Sequence, residues 1–418
     1  MKFYILTYGC TLNKTDSNKI SAILKSKNWE ETKDEKSANI LIINSCTVKH
    51  QTENRILKKI QDLYKINKPC VLTGCLYLRQ TLIREKYPHL PIISPGSISK
   101  IYTACESALL GKEYTSIESF DKSKLPTLYS GIIASIPLAE GCVGNCTYCE
   151  TRLARGKLRS YSIRKIKQEV EEAIKSGAKE IQLTAQDTGA YGLDINTNII
   201  ELLTEILKIE GDFKIRLGMI NPNHVFNFLD KLIEIYKNKK MYKFLHIPVQ
   251  SGSTRILKKM NRQYTINEYL KIVKKFRMAF PNMTIATDII IGFPDEKEND
   301  FKNTLNLIKT CNFNVLNISR FTPRPGTLAK DMIQIENNII KERTKKTSEL
   351  FSKISIKNNK KNMGKYYEII ITEKQKTWTG RDINYKQIAV KNNNLKKGQV
   401  LKVKITGYTQ SCLIGERV

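Results

Sequence analysis

Cys142, Cys146 and Cys149 stand at C-x3-C-x2-C spacing, with Tyr148 directly before the last of them. Three thiolates this close can each take one iron of a four-iron, four-sulfur cluster and leave the fourth iron free for an outside ligand. A structural zinc site is the other chemistry open to such a group. Zinc would want a fourth Cys or His at short range, and structural sites usually come as two close pairs. Here the next Cys is Cys311 and the next His is His224, so the spacing favours the cluster.

A second set of three is dispersed. It comprises Cys10 in Tyr8-Gly9-Cys10, Cys46 in Asn44-Ser45-Cys46 and Cys75 in Thr73-Gly74-Cys75. Each follows a short apolar run (3–7, 40–43 and 70–72), and helical patterns at 16–26 and 51–65 fall between them. Such alternation predicts a parallel sheet, where ligands bind beyond the carboxyl ends of the strands. Three thiols in one structural position argue for a shared ligand; the plainer alternative is three unrelated buried cysteines. Gly9, Ser45 and Gly74 are small enough to let the backbone approach a bulky group. Cys70, Cys105 and Cys412 read as packing residues without chemistry.

The elements that must position these residues repeat along the chain. Strand-like runs at 134–138, 180–183, 214–217, 243–247, 284–291 and 313–318 alternate with helical patterns at 162–176, 198–209, 225–236, 266–280 and 296–310. An α/β barrel and a doubly wound sheet both fit this order. Polar residues gather at the strand ends, among them Gln186, Arg216, His246, Gln250 and Asp288. His246 has no partner at ligand spacing and reads as structural, and nothing pairs Asp187 with Asp288, which come from different strands. Neither a P-loop nor a G-x-G-x-x-G pattern is present, so phosphoryl transfer and Rossmann dinucleotide chemistry have no support.

At 418 residues, with 41% hydrophobic and 26% charged residues, the chain has room for two or three folded domains. Its formal net charge of +30 points to a polyanionic partner, with a lysine-rich but silent surface as the alternative. Residues 113–126 read as a linker, and 336–362 as a charged helix. Five short strand patterns follow, at 366–372, 377–380, 387–389, 400–406 and 412–415, which predict a small β-barrel. From 361 to 418 there are 12 Lys and Arg against 4 Asp and Glu, a net of +8. With Trp378, Tyr385 and Tyr408, that barrel suits RNA backbone contact and base stacking. The amino terminus lacks a secretory pattern, and no apolar run approaches the roughly 18 residues of a membrane span. A cytoplasmic, reducing location without membrane attachment is expected, where ten cysteines serve metal binding rather than disulfides.

The Cys142–Cys149 stretch resembles the signature of the radical S-adenosylmethionine (SAM) superfamily. With Tyr-Gly-Cys-x-x-Asn at Cys10, Asn-Ser-Cys-x-Val at Cys46, Thr-Gly-Cys at Cys75 and Pro-x-Pro-Gly-Thr at Pro323–Thr327, the whole chain resembles the methylthiotransferases. Leu183–Gly192 looks most like their archaeal and eukaryotic branch, which acts on N6-threonylcarbamoyladenosine in transfer RNA. The resemblance implies an N-terminal parallel α/β domain (1–112), a central radical SAM partial (β/α)6 barrel (128–360) and a TRAM-like C-terminal β-barrel (361–418). It implies two [4Fe-4S] clusters, one on Cys10, Cys46 and Cys75 and one on Cys142, Cys146 and Cys149. It also makes Gln186, Arg216, Gln250 and Gly292 the expected contacts to SAM. Chemistry would then occur at the clusters, with no acid–base pair of the ordinary kind. SAM cleavage would yield a radical that takes hydrogen from C2 of the adenine, and sulfur from the second cluster would follow. The expected partners are a tRNA anticodon stem-loop, a reductant and a sulfur donor, for a monomeric enzyme. Isopentenyladenosine in tRNA or a ribosomal-protein aspartate is the rival target. A non-catalytic iron–sulfur RNA-binding protein is the rival class.

Overall fold

The computed structural model describes residues 1–47, 50–374, 376–391 and 394–418. The first unit is a six-stranded parallel sheet. Its elements in chain order are β1 (Lys2–Thr7), α1 (Thr11–Lys25), β2 (Glu30–Glu31), β3 (Ile40–Ser45), α2 (His50–Lys65), β4 (Cys70–Gly74), α3 (Gln80–Lys86), β5 (Ile92–Ile93), α4 (Ile101–Leu109) and β6 (Thr115–Ser116). The strand order is β2-β1-β3-β4-β5-β6. Strand β3 is buried along its whole length, as a central strand covered on both faces must be. Ile40 and Ile42 pack with Ile20 and Leu24 of α1 on one side. Leu41 and Ile43 pack with Ile56 and Ile60 of α2 on the other.

Residues 113–126 are not the free linker expected. Thr115 and Ser116 pair with Ile92 and Ile93 as the sixth strand. Lys122 is buried, bridging Asp16 of α1 to Glu140 of the next unit. Two-residue strands and a lone buried lysine leave no periodicity to read.

The second unit holds β7 (Ile133–Pro137), β8 (Ala139–Glu140), α5 (Thr151–Arg155), β9 (Arg159–Ser160), α6 (Ile163–Lys175), β10 (Glu180–Thr184), α7 (Ile199–Leu207), β11 (Lys214–Leu217), α8 (Pro222–Val225), α9 (Leu229–Lys237), β12 (Phe244–His246), α10 (Thr254–Lys259), α11 (Ile266–Ala279), β13 (Thr284–Ile291), α12 (Glu298–Cys311) and β14 (Val315–Arg320). Six of these strands form a parallel series, β7-β10-β11 and β12-β13-β14. A bridge between Ile215 and Met241 joins the two halves. Among the described residues no pairing closes β14 back onto β7, so the barrel is partial. Ile181, Leu183, Ile215, Leu217 and Leu245 point outward into one core with Val170, Leu202, Leu232 and Phe276 of the helices. The alternate residues therefore face the lumen, and there they are largely polar. Caps start the helices where the sequence asks for them: Ser162, Asn198 and Ser253 accept from the first turn, and Thr265 with Glu268 makes a capping box. The single helix expected at 225–236 is divided into α8 and α9 by a short 3₁₀ turn at Phe226–Phe228.

Helix α13 (Asn337–Lys360) runs along β14 and α12 into a closed five-stranded barrel. Its strands are β15 (Tyr366–Lys374), β16 (Trp378–Arg381), β17 (Gln387–Val390), β18 (Val400–Tyr408) and β19 (Leu413–Arg417), in the order β15-β16-β17-β19-β18. Two aromatics expected to stack on RNA do something else. Trp378 lies in this barrel's core, on an inward-facing position of β16. Tyr385, at the tip of the β16–β17 hairpin, packs into the lower mouth of the central barrel against Tyr242, Phe244 and Ala286. Lys243 N–H donates to Ile383 O at 2.8 Å and holds the hairpin there. Tyr408 is half-buried against the barrel core. The exposed aromatic is Tyr366, with Lys402 and Lys404 within 5.4 and 5.9 Å of its ring centre. Among the described residues no helix is long and apolar enough to cross a membrane.

Candidate functional site: two cysteine sites joined by one short helix

Strand register brings the dispersed cysteines together. Thr7 pairs with Asn44 and Asn44 with Thr73, so β1, β3 and β4 end side by side. Cys10 caps α1, and Cys46 and Cys75 follow their strands directly, both buried. Asn13 fastens the loops: its Nδ2 donates to Tyr8 O and Ser45 O at 2.7 Å, and its Oδ1 accepts from Cys10 Sγ at 3.5 Å. Gly9 has φ +96°, and a Cβ there would meet Cys46 Cβ at 2.6 Å and Sγ at 2.7 Å. Burial pushes the Cys75 thiol up to about 11, helped by Cys46 and Cys10 and opposed by Arg155. Metal binding is what would draw the proton from such a thiol.

The other loop leaves β8 and carries Cys142, Cys146 and Cys149. Gly144 N–H donates to Cys142 Sγ at 3.2 Å. A Cβ at Gly144 would stand 3.2 Å from Cys142 Sγ and 3.9 Å from Cys146 Sγ, so the glycine keeps a concavity open beside the sulfurs. Desolvation pushes the Cys142 thiol up to about 11 and raises Cys149 as well. Thr147 pins the loop, donating from N–H to Met260 O and from Oγ1 to Lys259 O, and accepting from Ala329 N–H. Arg262 was not foreseen. It reaches Cys146 Sγ from Nη1 at 3.5 Å and Asn221 Oδ1 from Nη2 at 2.9 Å. Nothing in Met260–Tyr264 marks it, because its role depends on a fold contact across 116 residues. Among the described residues no three His, Cys, Asp or Glu side chains are grouped tightly enough for one metal ion. A cluster asks for a different arrangement, since each thiolate takes its own iron and the sulfurs stand apart.

Helix α5 begins two residues after Cys149 and ends at Arg155, beside Asn13 and Asp16. Glu150 pairs with Arg79, four residues after Cys75. Arg79 also reaches Glu53 of α2 at 3.6 Å, and Arg324 donates to Glu53 at 2.6 Å. Arg324 belongs to the 321–327 segment, which thereby touches the first unit while its continuation at Ala329 holds Thr147. Buried charges of this kind persist only when fully paired.

At the upper rim of the partial barrel, Gln186 Oε1 and Asn223 Oδ1 are buried without partners. Gln250 is 9% exposed and has φ +68°, a strained conformation for a residue with a side chain and one that concentrates at binding sites. Arg216 lies lower. It is level with Gln182, stacks on Phe244 and Tyr385 at 4.8 and 5.5 Å, and leaves Nε–H without a partner. Gly292 has φ +77°, and a Cβ there would meet Ile340 of α13 at 2.4 Å. Its N–H goes to Glu296, so packing accounts for this glycine. Burial pushes the Glu296 carboxyl up to about 7. His246, read as a structural residue without a partner at ligand spacing, pairs with Asp288 at 3.1 Å across β12 and β13, and Asn317 donates to Asp288 at 2.7 Å. Asp187 accepts from Gly189 and Asn221 N–H at 3.0 Å and faces His224 at 3.4 Å.

Residues 136–308 match the radical SAM superfamily, and residues 2–92 match uncharacterized protein family UPF0004. A probable threonylcarbamoyladenosine tRNA methylthiotransferase of Pyrococcus horikoshii is 41% identical over 100% of this chain and 99% of its own. The Homo sapiens threonylcarbamoyladenosine tRNA methylthiotransferase is 34% identical over 97% of this chain and 72% of its own. Among solved structures, the radical SAM methyltransferase TsrM of Kitasatospora setae, with cobalamin and a [4Fe-4S] cluster bound, superimposes with a TM-score of 0.57. It covers 79% of this chain and 76% of its own at 13% identity, a likeness of fold alone. The chain belongs to the threonylcarbamoyladenosine tRNA methylthiotransferases, a family of radical SAM enzymes.

Proposed function

We propose that this enzyme converts N6-threonylcarbamoyladenosine at position 37 of tRNA to its 2-methylthio derivative, using two [4Fe-4S] clusters. The observation that carries this reading is the meeting of two three-cysteine sites at the two ends of α5. Cys142, Cys146 and Cys149 would hold the cluster that binds and cleaves SAM, and Cys10, Cys46 and Cys75 the one that supplies sulfur. Gln186 and Gln250 would hold SAM at the barrel rim, a reading supported by the unpartnered Gln186 Oε1 and the strained Gln250 backbone. Arg216, deeper in the lumen, and Gly292, whose N–H is already engaged, complete the proposed set with less freedom to reach it. The chain's share is to orient both groups, shield them from water and admit an unstacked base through the open side of the barrel. The basic C-terminal barrel would take the RNA backbone.

Anaerobic reconstitution tests this. Iron is loaded, then SAM, reductant, sulfide and tRNA bearing threonylcarbamoyladenosine are added, and nucleosides are read by mass spectrometry. A nucleoside heavier by one methylthio group is the expected result. 5′-Deoxyadenosine without that nucleoside would keep the radical chemistry and overturn the substrate. Neither product, with two clusters per chain loaded, would overturn the reaction.

A further inference from the structure

The last residue of α5 is an arginine whose side chain is 1% exposed. Arg155 Nη2 donates to Asn13 Oδ1 at 2.7 Å and Asp16 Oδ2 at 2.8 Å, and Nη1 donates to Glu140 Oε2 at 2.9 Å. The same Asn13 oxygen accepts from Cys10 Sγ. Lys122 bridges the same two carboxylates from the far side, at 2.5 Å to Asp16 and 2.6 Å to Glu140. Two cations and two carboxylates thus form a closed, neutral group in a largely buried interface. One edge of that group remains uncommitted: Arg155 Nε–H is buried and has no partner. The guanidinium also faces the sulfurs. Its charge acts to lower Cys75, while Cys75 and Cys10 in turn help raise Arg155.

This placement has a consequence for electrons. Three thiolates around an iron–sulfur core leave a net negative group, and one-electron reduction makes it more negative. A fixed cation beside the sulfurs favours the reduced form, with less solvent screening at the buried Cys46 and Cys75 than at the exposed Cys10. Hydrogen bonds toward the sulfurs act in the same direction. The group at Cys142–Cys149 has its own arginine, Arg262 on Cys146, so each cysteine site carries one buried guanidinium. Arg155 differs in that its helix starts at the other site.

We propose that Arg155 is a positioning residue for the N-terminal cysteine site: it docks the Cys10 loop onto the Cys142–Cys149 loop and raises the reduction potential of the cluster held there. This rests on the two-cluster reading. The test uses full-length, reconstituted protein, with iron analysis and EPR-monitored potentiometry. The N-terminal signal is assigned as the one that survives when Cys142, Cys146 and Cys149 are all replaced by alanine. Wild type is compared with Arg155→Lys, Arg155→Gln and the double variant Arg155→Gln/Glu140→Gln, which keeps the buried group neutral. The expected result is a more negative potential for the N-terminal cluster alone in both glutamine variants, with Arg155→Lys between them and wild type. Loss of iron from the N-terminal site alone in Arg155→Gln, restored in Arg155→Lys, supports the docking role equally. Two full clusters at unshifted potentials in the double variant would overturn the proposal. So would equal loss of iron from both sites, which is the mark of a folding defect. Wild type carrying a single cluster would instead overturn the two-cluster reading, before any variant is made.

Discussion

Tyr385 offers a perturbation whose size follows from its surroundings. Its ring lies 4.9 Å from those of Tyr242 and Phe244, with Arg216 and Arg381 at 5.5 and 4.8 Å. Its hydroxyl donates to Glu180 Oε1 at 2.7 Å. Tyr385→Phe removes one hydrogen bond to a buried carboxylate, normally worth about 1.5–3 kcal/mol. Gln182 Nε2 already donates to the same oxygen at 2.6 Å, so the lower end, about 1.5 kcal/mol, is expected. Tyr385→Ala removes the ring as well, and loss of a buried aromatic costs about 3 kcal/mol or more. The reporter is the Lys243 amide, which donates to Ile383 O and exchanges only when the hairpin leaves the barrel mouth. Hydrogen exchange there should quicken roughly tenfold in Tyr385→Phe and roughly a hundredfold in Tyr385→Ala. Exchange within β15–β19 should stay slow in both. An unchanged Lys243 amide in Tyr385→Ala, with the C-terminal barrel still protected, would refute the view that this ring holds the two barrels together.

Four further outcomes are expected. Cys149→Ala should abolish both 5′-deoxyadenosine and product, whereas Cys46→Ala should keep SAM cleavage and lose sulfur transfer; methylthio product from Cys46→Ala would overturn the second-cluster assignment. Gly9→Ala should lower iron at the N-terminal site, because its Cβ would overlap Cys46 Sγ at 2.7 Å in a backbone already at φ +96°; iron analysis reads this directly. Tyr366→Ala should weaken tRNA binding roughly 5- to 150-fold if one base stacks there, by about 1–3 kcal/mol; fluorescence anisotropy at fixed salt measures it, and Trp378→Phe should leave affinity unchanged. Glu296 has a folded-state value raised from 4.5 to about 7, so the folded protein binds the extra proton in that window. Its contribution to stability is full below pH 4.5 and is lost as pH rises to about 7, and a denaturation series should show this slope flattened in Glu296→Gln.

The sequence carried the layers of the fold because strand and helix periods are local. Alternation at 3–7, 40–43 and 70–72 was enough to put three cysteines beyond the ends of parallel strands, and register then did the rest. Side-chain partnerships across the fold were hidden. Arg155 meets Asp16 across 139 residues and Arg324 meets Glu53 across 271, distances at which no spacing rule operates. The His246–Asp288 pair was missed for a related reason. Each lies on its own strand, and only the parallel pairing of β12 with β13 makes them neighbours. In the C-terminal barrel the strands were legible but their phase was not. A shift of one residue exchanges core for surface, which is why Trp378 is inside and Tyr366 outside.

Helix α5 is five residues long and therefore about 7.5 Å from end to end. It acts as a gauge block between the two cysteine sites. Substitutions along its outer face leave the gauge intact, but a change of length does not. One inserted residue would turn everything beyond it by about 100° and lengthen it by about 1.5 Å. Arg155 would then point away from Asn13 while Glu150 stayed on Arg79. The outward-facing residues between Glu150 and Arg155 should thus drift in composition, while the segment from Cys149 to Gly156 resists insertion and deletion, unlike the surface loops elsewhere in the chain.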